Sequence, residues 1–137
     1  LSLGADYAVD PINESLPERL RKILGTDGAD VVIECVGNLT ATGQAFEAAK
    51  RGATILLFSV PKAGSFYQLS LDDVFHKELT ILGSMINPDT HERAAQLINS
   101  GRINLKPIIT HRYTVDQVEE AILMQMSNES IKVIVGN

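Results

Sequence analysis

The sequence has a single cysteine, Cys35, so no disulfide can close within the chain, which fits a reducing compartment. One cysteine and three scattered histidines cannot supply the closely spaced ligands of a zinc cage. Basic runs are absent and the net charge is −5. That argues against a nucleic-acid partner, whose phosphate backbone needs clustered Lys and Arg. No apolar run approaches the ~20 residues of a bilayer-spanning helix. Nor does the chain open with a basic segment followed by an apolar block, as a secretory signal does. A cytoplasmic location without membrane attachment is therefore expected. The phosphate-cradling glycine motifs are missing too. None of the 10 glycines falls into G-x-G-x-x-G or G-x-x-x-x-G-K-[ST], so the usual routes to a dinucleotide or P-loop phosphate site are closed. An initiator Met is also lacking; the chain starts at Leu1, as a fragment or a processed product does.

What is present suits one domain: 137 residues, 45% apolar. Short apolar runs alternate with amphipathic stretches. Residues 5–9 read as a short strand. Ser15 and Glu18 have capping-box spacing, and Leu16, Leu20, Ile23 and Leu24 mark one helical face that ends at Gly25. Residues 30–36, 53–60 and 79–85 are nearly continuous apolar runs, as expected of strands buried on both faces of a parallel sheet. Between them lie a helix from about Leu39 to Arg51, capped by Asn38 and stopped at Gly52, and a shorter helix from Ser70 to about Phe75. Asn87-Pro88 opens a helix that runs to about Ser100. Thr114 and Gln117 repeat the capping-box spacing before a face of Val115, Val118, Ile122 and Met126, and Ile131 to Val135 reads as a last strand. Strand–helix alternation with short connections predicts an α/β fold with a parallel sheet.

In such a sheet, ligands sit beyond the carboxyl ends of the strands. Here those ends are Val36-Gly37-Asn38, Ser59-Val60-Pro61 and Ser84-Met85-Ile86-Asn87, each small or polar just after an apolar run. A ligand crevice and ordinary strand-to-helix turns explain this equally well. Asp10 could mimic a ribose-binding acid, but no glycine turn precedes it at the required spacing, so a turn aspartate before Pro11 is the better reading. Cys35 reads as a small core hydrophobe. His111 fits a structural hydrogen bond better than catalysis. Glu34 is charged inside an otherwise apolar strand, and faces a gap, a partner or a missing strand.

The motifs Leu3-Gly4-Ala5-Asp6 to Val9-Asp10, Gly28 to Gly37 and Gly52-Ala53 resemble the zinc-type medium-chain alcohol dehydrogenases. So do Lys77 to Ser84, Ser100 to Ile103, Pro107 to His111 and Ser130 to Lys132, in the right order along nearly the whole chain. The stretch from Ser84 to Arg93 leans toward the polyol (sorbitol-like), threonine and butanediol dehydrogenase branch. The resemblance implies a parent enzyme in which a zinc-bound alcohol loses its proton and gives a hydride to NAD or NADP. It implies that residues 1–104 are part of the dinucleotide-binding (Rossmann) domain and that 105–137 return to the catalytic domain. It also implies that Val36, Gly37, Phe58, Ser59, Val60, Gly83, Ser84 and Met85 line the nicotinamide side of the cofactor. Lys132 stands where relatives often place an Arg near the pyrophosphate; lysine keeps the charge and loses the bidentate fork.

The family's zinc ligands, glycine-rich turn and ribose-binding residue all fall upstream of Leu1 by the same resemblance. The chain alone is thus expected to be inactive and to bind NADH more weakly than ~1 mM, because contacts to the pyrophosphate at a helix N-terminus are missing. In the sheet order 3-2-1-4-5-6 the chain supplies strands 3, 4, 5 and 6, so the sheet is an incomplete doubly wound one. Strand 30–36 then has an open edge, and either pairs with another chain or takes residues 5–9 beside it. Relatives commonly pair the last sheet strand, here 79–85, in a homodimer. A standalone, non-catalytic nucleotide-binding or interaction module is the alternative. A flavodoxin-like or receiver-like regulator fits less well, since no acidic cluster for Mg²⁺ stands at the strand ends.

Overall fold

The protein is described by a computed structural model over residues 1–86 and 88–136. It forms two compact units, Leu1–Ile86 and Asn87–Asn137. In the first, helix α1 (Leu16–Leu24) leads to strand β1 (Ala29–Glu34), helix α2 (Leu39–Ala48), strand β2 (Ala49–Leu57), helix α3 (Leu71–Lys77) and strand β3 (Thr80–Gly83). The strands form a parallel sheet in the order β1-β2-β3, with Val32 opposite Ile55 and Leu56 opposite Leu82. The α/β fold and the parallel sheet expected from strand–helix alternation are therefore observed.

Local chemistry accounts for most element ends. Gly25 (φ 67°) stops α1 by entering the left-handed region and donating its N–H to Arg21. Ser15 makes no side-chain cap, contrary to the expected capping box; Pro17 in the first turn has no N–H to offer it. Asn38 caps α2 by accepting from the Ala41 N–H at 2.8 Å, and Ser70 caps α3 through the Asp73 N–H at 3.1 Å.

Helix α2 stops at Ala48 rather than near Arg51. Ala49 turns extended and pairs with Ala29, and the β1–β2 register then shifts before Val31 meets Thr54. Gly28 permits the close approach of this segment to β1, since a Cβ there would lie 2.4 Å from the Ala48 carbonyl oxygen. Lys77 Nζ binds the Phe46 and Ala49 carbonyl oxygens at 3.3 and 3.2 Å, satisfying acceptors that the helix end leaves open.

The core is built on small residues. Ala45, Ala49, Ala53 and Ile55 are buried, with Val32, Phe46, Leu57 and Leu79 packed around them. Val32 faces this core. Val31 and Ile33 sit one residue to either side and so point to the other face, where they are 61% and 56% exposed. The expectation of strands buried on both faces fails on that side, because no element of the first unit covers it. Cys35 lies just past β1 and is exposed, not a core hydrophobe.

Residues 5–9 form no strand and pair with nothing, so β1 keeps a free edge and the idea that they move in beside it is not realised. Instead the chain there runs into a turn. Asp10 accepts the Asn13 side-chain amide at 2.6 Å and the Ile12 N–H at 3.0 Å, which hold its carboxyl below the usual carboxylate range. The turn-aspartate reading of Asp10 is thus the one observed.

The second unit contains α4 (His91–Asn99), β4 (Ile109–Tyr113), α5 (Val118–Met126) and β5 (Lys132–Val135). The helix predicted from Asn87-Pro88 starts at His91, with Thr90 as its N-cap residue; Asn87 lies outside the described residues. Strands β4 and β5 pair in parallel, with α5 as the crossover, a pairing the sequence reading did not foresee for residues 109–113. Gln117 accepts the Thr114 N–H at 3.2 Å, as the capping-box spacing predicted. His111 Nδ1 lies 3.0 Å from Thr110 Oγ1, a structural role. Among the described residues no helix is long and apolar enough to cross a membrane.

Candidate functional site

Three strands of one parallel sheet end side by side along the carboxyl edge of the first unit. Each end carries predicted site residues: Val36 and Gly37 after β1, Phe58, Ser59 and Val60 after β2, and Gly83, Ser84 and Met85 at and after β3. Backbone hydrogen bonds continue the sheet past its last formal pairs. Phe58 and Ser59 both donate their N–H to the Glu34 carbonyl oxygen, at 3.0 and 3.1 Å, and Ser84 donates to Leu57 at 3.2 Å. The structure therefore brings eight of the nine candidates into one edge. The ninth, Lys132, opens β5 in the second unit, where its carbonyl oxygen accepts from Thr110 Oγ1 at 3.4 Å.

Glu34, the last residue of β1, organises this edge. It is 5% exposed, and its carboxylate is saturated with local donors. Oε1 accepts the N–H groups of Val36 at 2.7 Å and Gly37 at 2.8 Å, and Oε2 accepts the Ser59 hydroxyl. The Ser59 hydrogen bond, and then the two backbone N–H groups, hold the Glu34 carboxyl below the usual carboxylate range, against burial, which acts to raise it. Among the described residues no cation pairs with it; backbone and hydroxyl dipoles stabilise the charge instead. Glu34 closes on its own turn.

Gly37 is required by this geometry. Its φ is 84°, and a Cβ there would stand 2.9 Å from the Val60 carbonyl oxygen and 3.4 Å from Ser59 Cβ. The glycine lets the β1 turn touch the end of β2. A Cβ on Gly83, by contrast, would meet nothing within 4 Å. Val36, Phe58, Val60 and Met85 are all more than half exposed and give the edge an apolar lining. Sequence reasoning did not place Glu34 in the site, although one carboxylate in a β-branched run was the visible signal.

The edge gathers exposed apolar side chains at the strand ends, with Gly37 and Ser59 between them. It does not offer a metal cage: among the described residues no three His, Cys, Asp or Glu side chains gather closely enough to hold an ion.

Comparison with known proteins places the chain in a family. The profile of the zinc-binding dehydrogenase family matches residues 1–100. A sorbitol dehydrogenase of Halalkalibacterium halodurans is 32% identical over 96% of this chain and 38% of its own length. An L-threonine 3-dehydrogenase of Colwellia psychrerythraea is 35% identical, with 96% and 38% covered. A solved structure from Sinorhizobium meliloti 1021, described as a zinc-binding dehydrogenase bound to NADP, superposes with a TM-score of 0.89 at 33% identity. That match covers 98% of this chain and 40% of the other. The chain thus spans about 38% of the length of the curated relatives it matches. With both its sequence motifs and its parallel sheet accounted for, the chain belongs to the zinc-binding dehydrogenase family.

Proposed function

We propose that this chain is the cofactor-binding part of an NAD(P)-dependent, zinc-type alcohol or polyol dehydrogenase. The parent enzyme moves a hydride from a primary or secondary alcohol to nicotinamide. The observation that carries this reading is the row of three strand ends: parallel, adjacent, small or polar, and at the edge where open α/β sheets bind ligands. Residues 1–104 contribute the partial Rossmann domain and residues 105–137 return to the catalytic domain. Val36, Gly37, Phe58, Ser59, Val60, Gly83, Ser84 and Met85 form the nicotinamide wall, and Lys132 meets the pyrophosphate. The relative from Sinorhizobium meliloti bound to NADP supports the cofactor class.

The bound cofactor supplies the hydride acceptor, and this chain orients it. The turn after β1 approaches through Gly37, Ser59 provides a polar contact, and exposed Val36, Val60 and Met85 keep water from one face of the ring. The residues described here do not fit a catalytic zinc, so the metal step falls to other parts of the parent. A cytoplasmic location and a homo-oligomer held through β3 or the free edge of β1 complete the reading.

The reading frame upstream of Leu1 tests it. A glycine-rich turn and a Cys/His/Glu ligand set encoded there are the expected result. An initiator Met directly before Leu1 would instead favour a standalone module without catalysis.

A further inference from the structure

Ser59 has one proton to donate and two lone pairs to accept with. Its O–H is directed to Glu34 Oε2, and its N–H to the Glu34 carbonyl oxygen. Both donors of this residue are therefore spent inside the protein. Meanwhile Glu34 Oε1 binds the N–H groups of Val36 and Gly37, which consumes the donors that the β1 turn could have shown a ligand. One carboxylate thus ties two strand ends together and removes donors from both.

We propose that Glu34 is the positioning residue of this crevice: it fixes the Val36–Gly37 turn against Ser59 and leaves the Ser59 hydroxyl oxygen able only to accept from a ligand. The group selected beside Ser59 is then one that carries N–H or O–H, such as a primary carboxamide. Where Ser59 can only accept, an isostere that brings only another acceptor leaves both partners unpaired at that point. This inference rests on the reading of the edge as a nicotinamide wall, but the positioning half is independent of it.

The geometry leaves little else to titrate nearby. The groove on this side of β1 runs between Leu16, Ala41, Gln44 and Ala45, and Cys35 is its only other titratable lining residue. Just past β2, neighbouring Phe58, Ser59 and Val60 carry no charge.

Two-dimensional ¹H–¹⁵N spectra of the full chain test both halves. In acid titration the Val36 and Gly37 amide signals move together with one midpoint, and in Glu34→Gln neither titrates. Separate midpoints, or titration that survives in Glu34→Gln, overturn the positioning role. Nicotinamide and 3-acetylpyridine, alike in shape but with and without an NH₂ donor, are then compared as probes. Nicotinamide shifts the Gly37 and Ser59 amides, and 3-acetylpyridine does so at least about tenfold more weakly, as expected for one lost hydrogen bond. Ser59→Ala abolishes the difference and Ser59→Thr restores it. Equal response to the two probes, or a difference that persists in Ser59→Ala, overturns the acceptor role. If the amides titrate as expected but neither probe nor NADH moves any strand-end signal, the acceptor role and the nicotinamide wall fall together while the positioning role stands.

Discussion

At the scale of single residues, the strongest determinants are Glu34, Gly37 and Ile86. Glu34 has a depressed folded-state pKa, so the stability it contributes is present above the ordinary glutamate value and is lost as pH falls through the folded value. Acid unfolding followed by circular dichroism should therefore show a component, below the ordinary carboxylate range, that is missing in Glu34→Gln. Gly37→Ala combines a left-handed backbone with a 2.9 Å approach to a carbonyl oxygen, and should cost about 1–3 kcal/mol in urea melts. Ile86 has φ 49°, a conformation that a β-branched residue adopts only under strain. Replacing it by Asn, which tolerates that region, should raise stability by about 1 kcal/mol in the same assay. The sequence announced Gly37 by its place after an apolar run. It announced Glu34 only as a charge in the wrong setting, since nothing in a linear pattern says that a carboxylate will bend back onto the two N–H groups that follow it. Ile86 carried no signal, because strain at one residue is decided by the chain on both sides of it.

At the scale of elements, helices were legible where a cap or a stop was written into the chain, as with Asn38, Ser70 and Gly25. The end of α2 was not, because the groups that meet it, Gly28 and Lys77, come from elsewhere in the sequence. The pairing of β4 with β5 was hidden for the same reason: residues 109–113 become a strand through a partner more than twenty positions away. Residues 5–9 show the converse, a strand-like composition with no partner and hence no strand. Strands β1 and β3 are both sheet edges, and Ile81 and Leu82 on β3 are exposed. Paired edges would hide that surface. If β3 pairs with its copy, as proposed, Leu82→Lys should shift the chain toward monomer in light-scattering chromatography; an unchanged mass would move the contact away from β3.

At the scale of the whole molecule, the parallel α/β design and the family were readable from the order of motifs, while burial was not. The apolar runs suggested double-sided cover, but β1 leaves Val31 and Ile33 open on one side and β3 exposes both Ile81 and Leu82. Fluorescence titration with NADH should find no binding tighter than ~1 mM, since this chain shows no phosphate-cradling glycine motif to present a helix N-terminus to the pyrophosphate. Micromolar affinity would sink that expectation and favour a self-sufficient nucleotide module.

Strand β2 is the only member of the three-stranded sheet with a neighbour on each side, and it also carries Ala53 and Ile55, the most enclosed residues of the core. This sets an order in time. When the chain breathes, β1 and β3 can each peel away from their outer side while β2 stays bonded to the other. Amide protons of residues 54–57 should therefore be the last of the first unit to exchange with deuterated solvent, and their rate should report global opening. Because Phe58 and Ser59 continue directly from that slowest segment, the polar centre of the crevice is anchored to the part of the fold that lets go last.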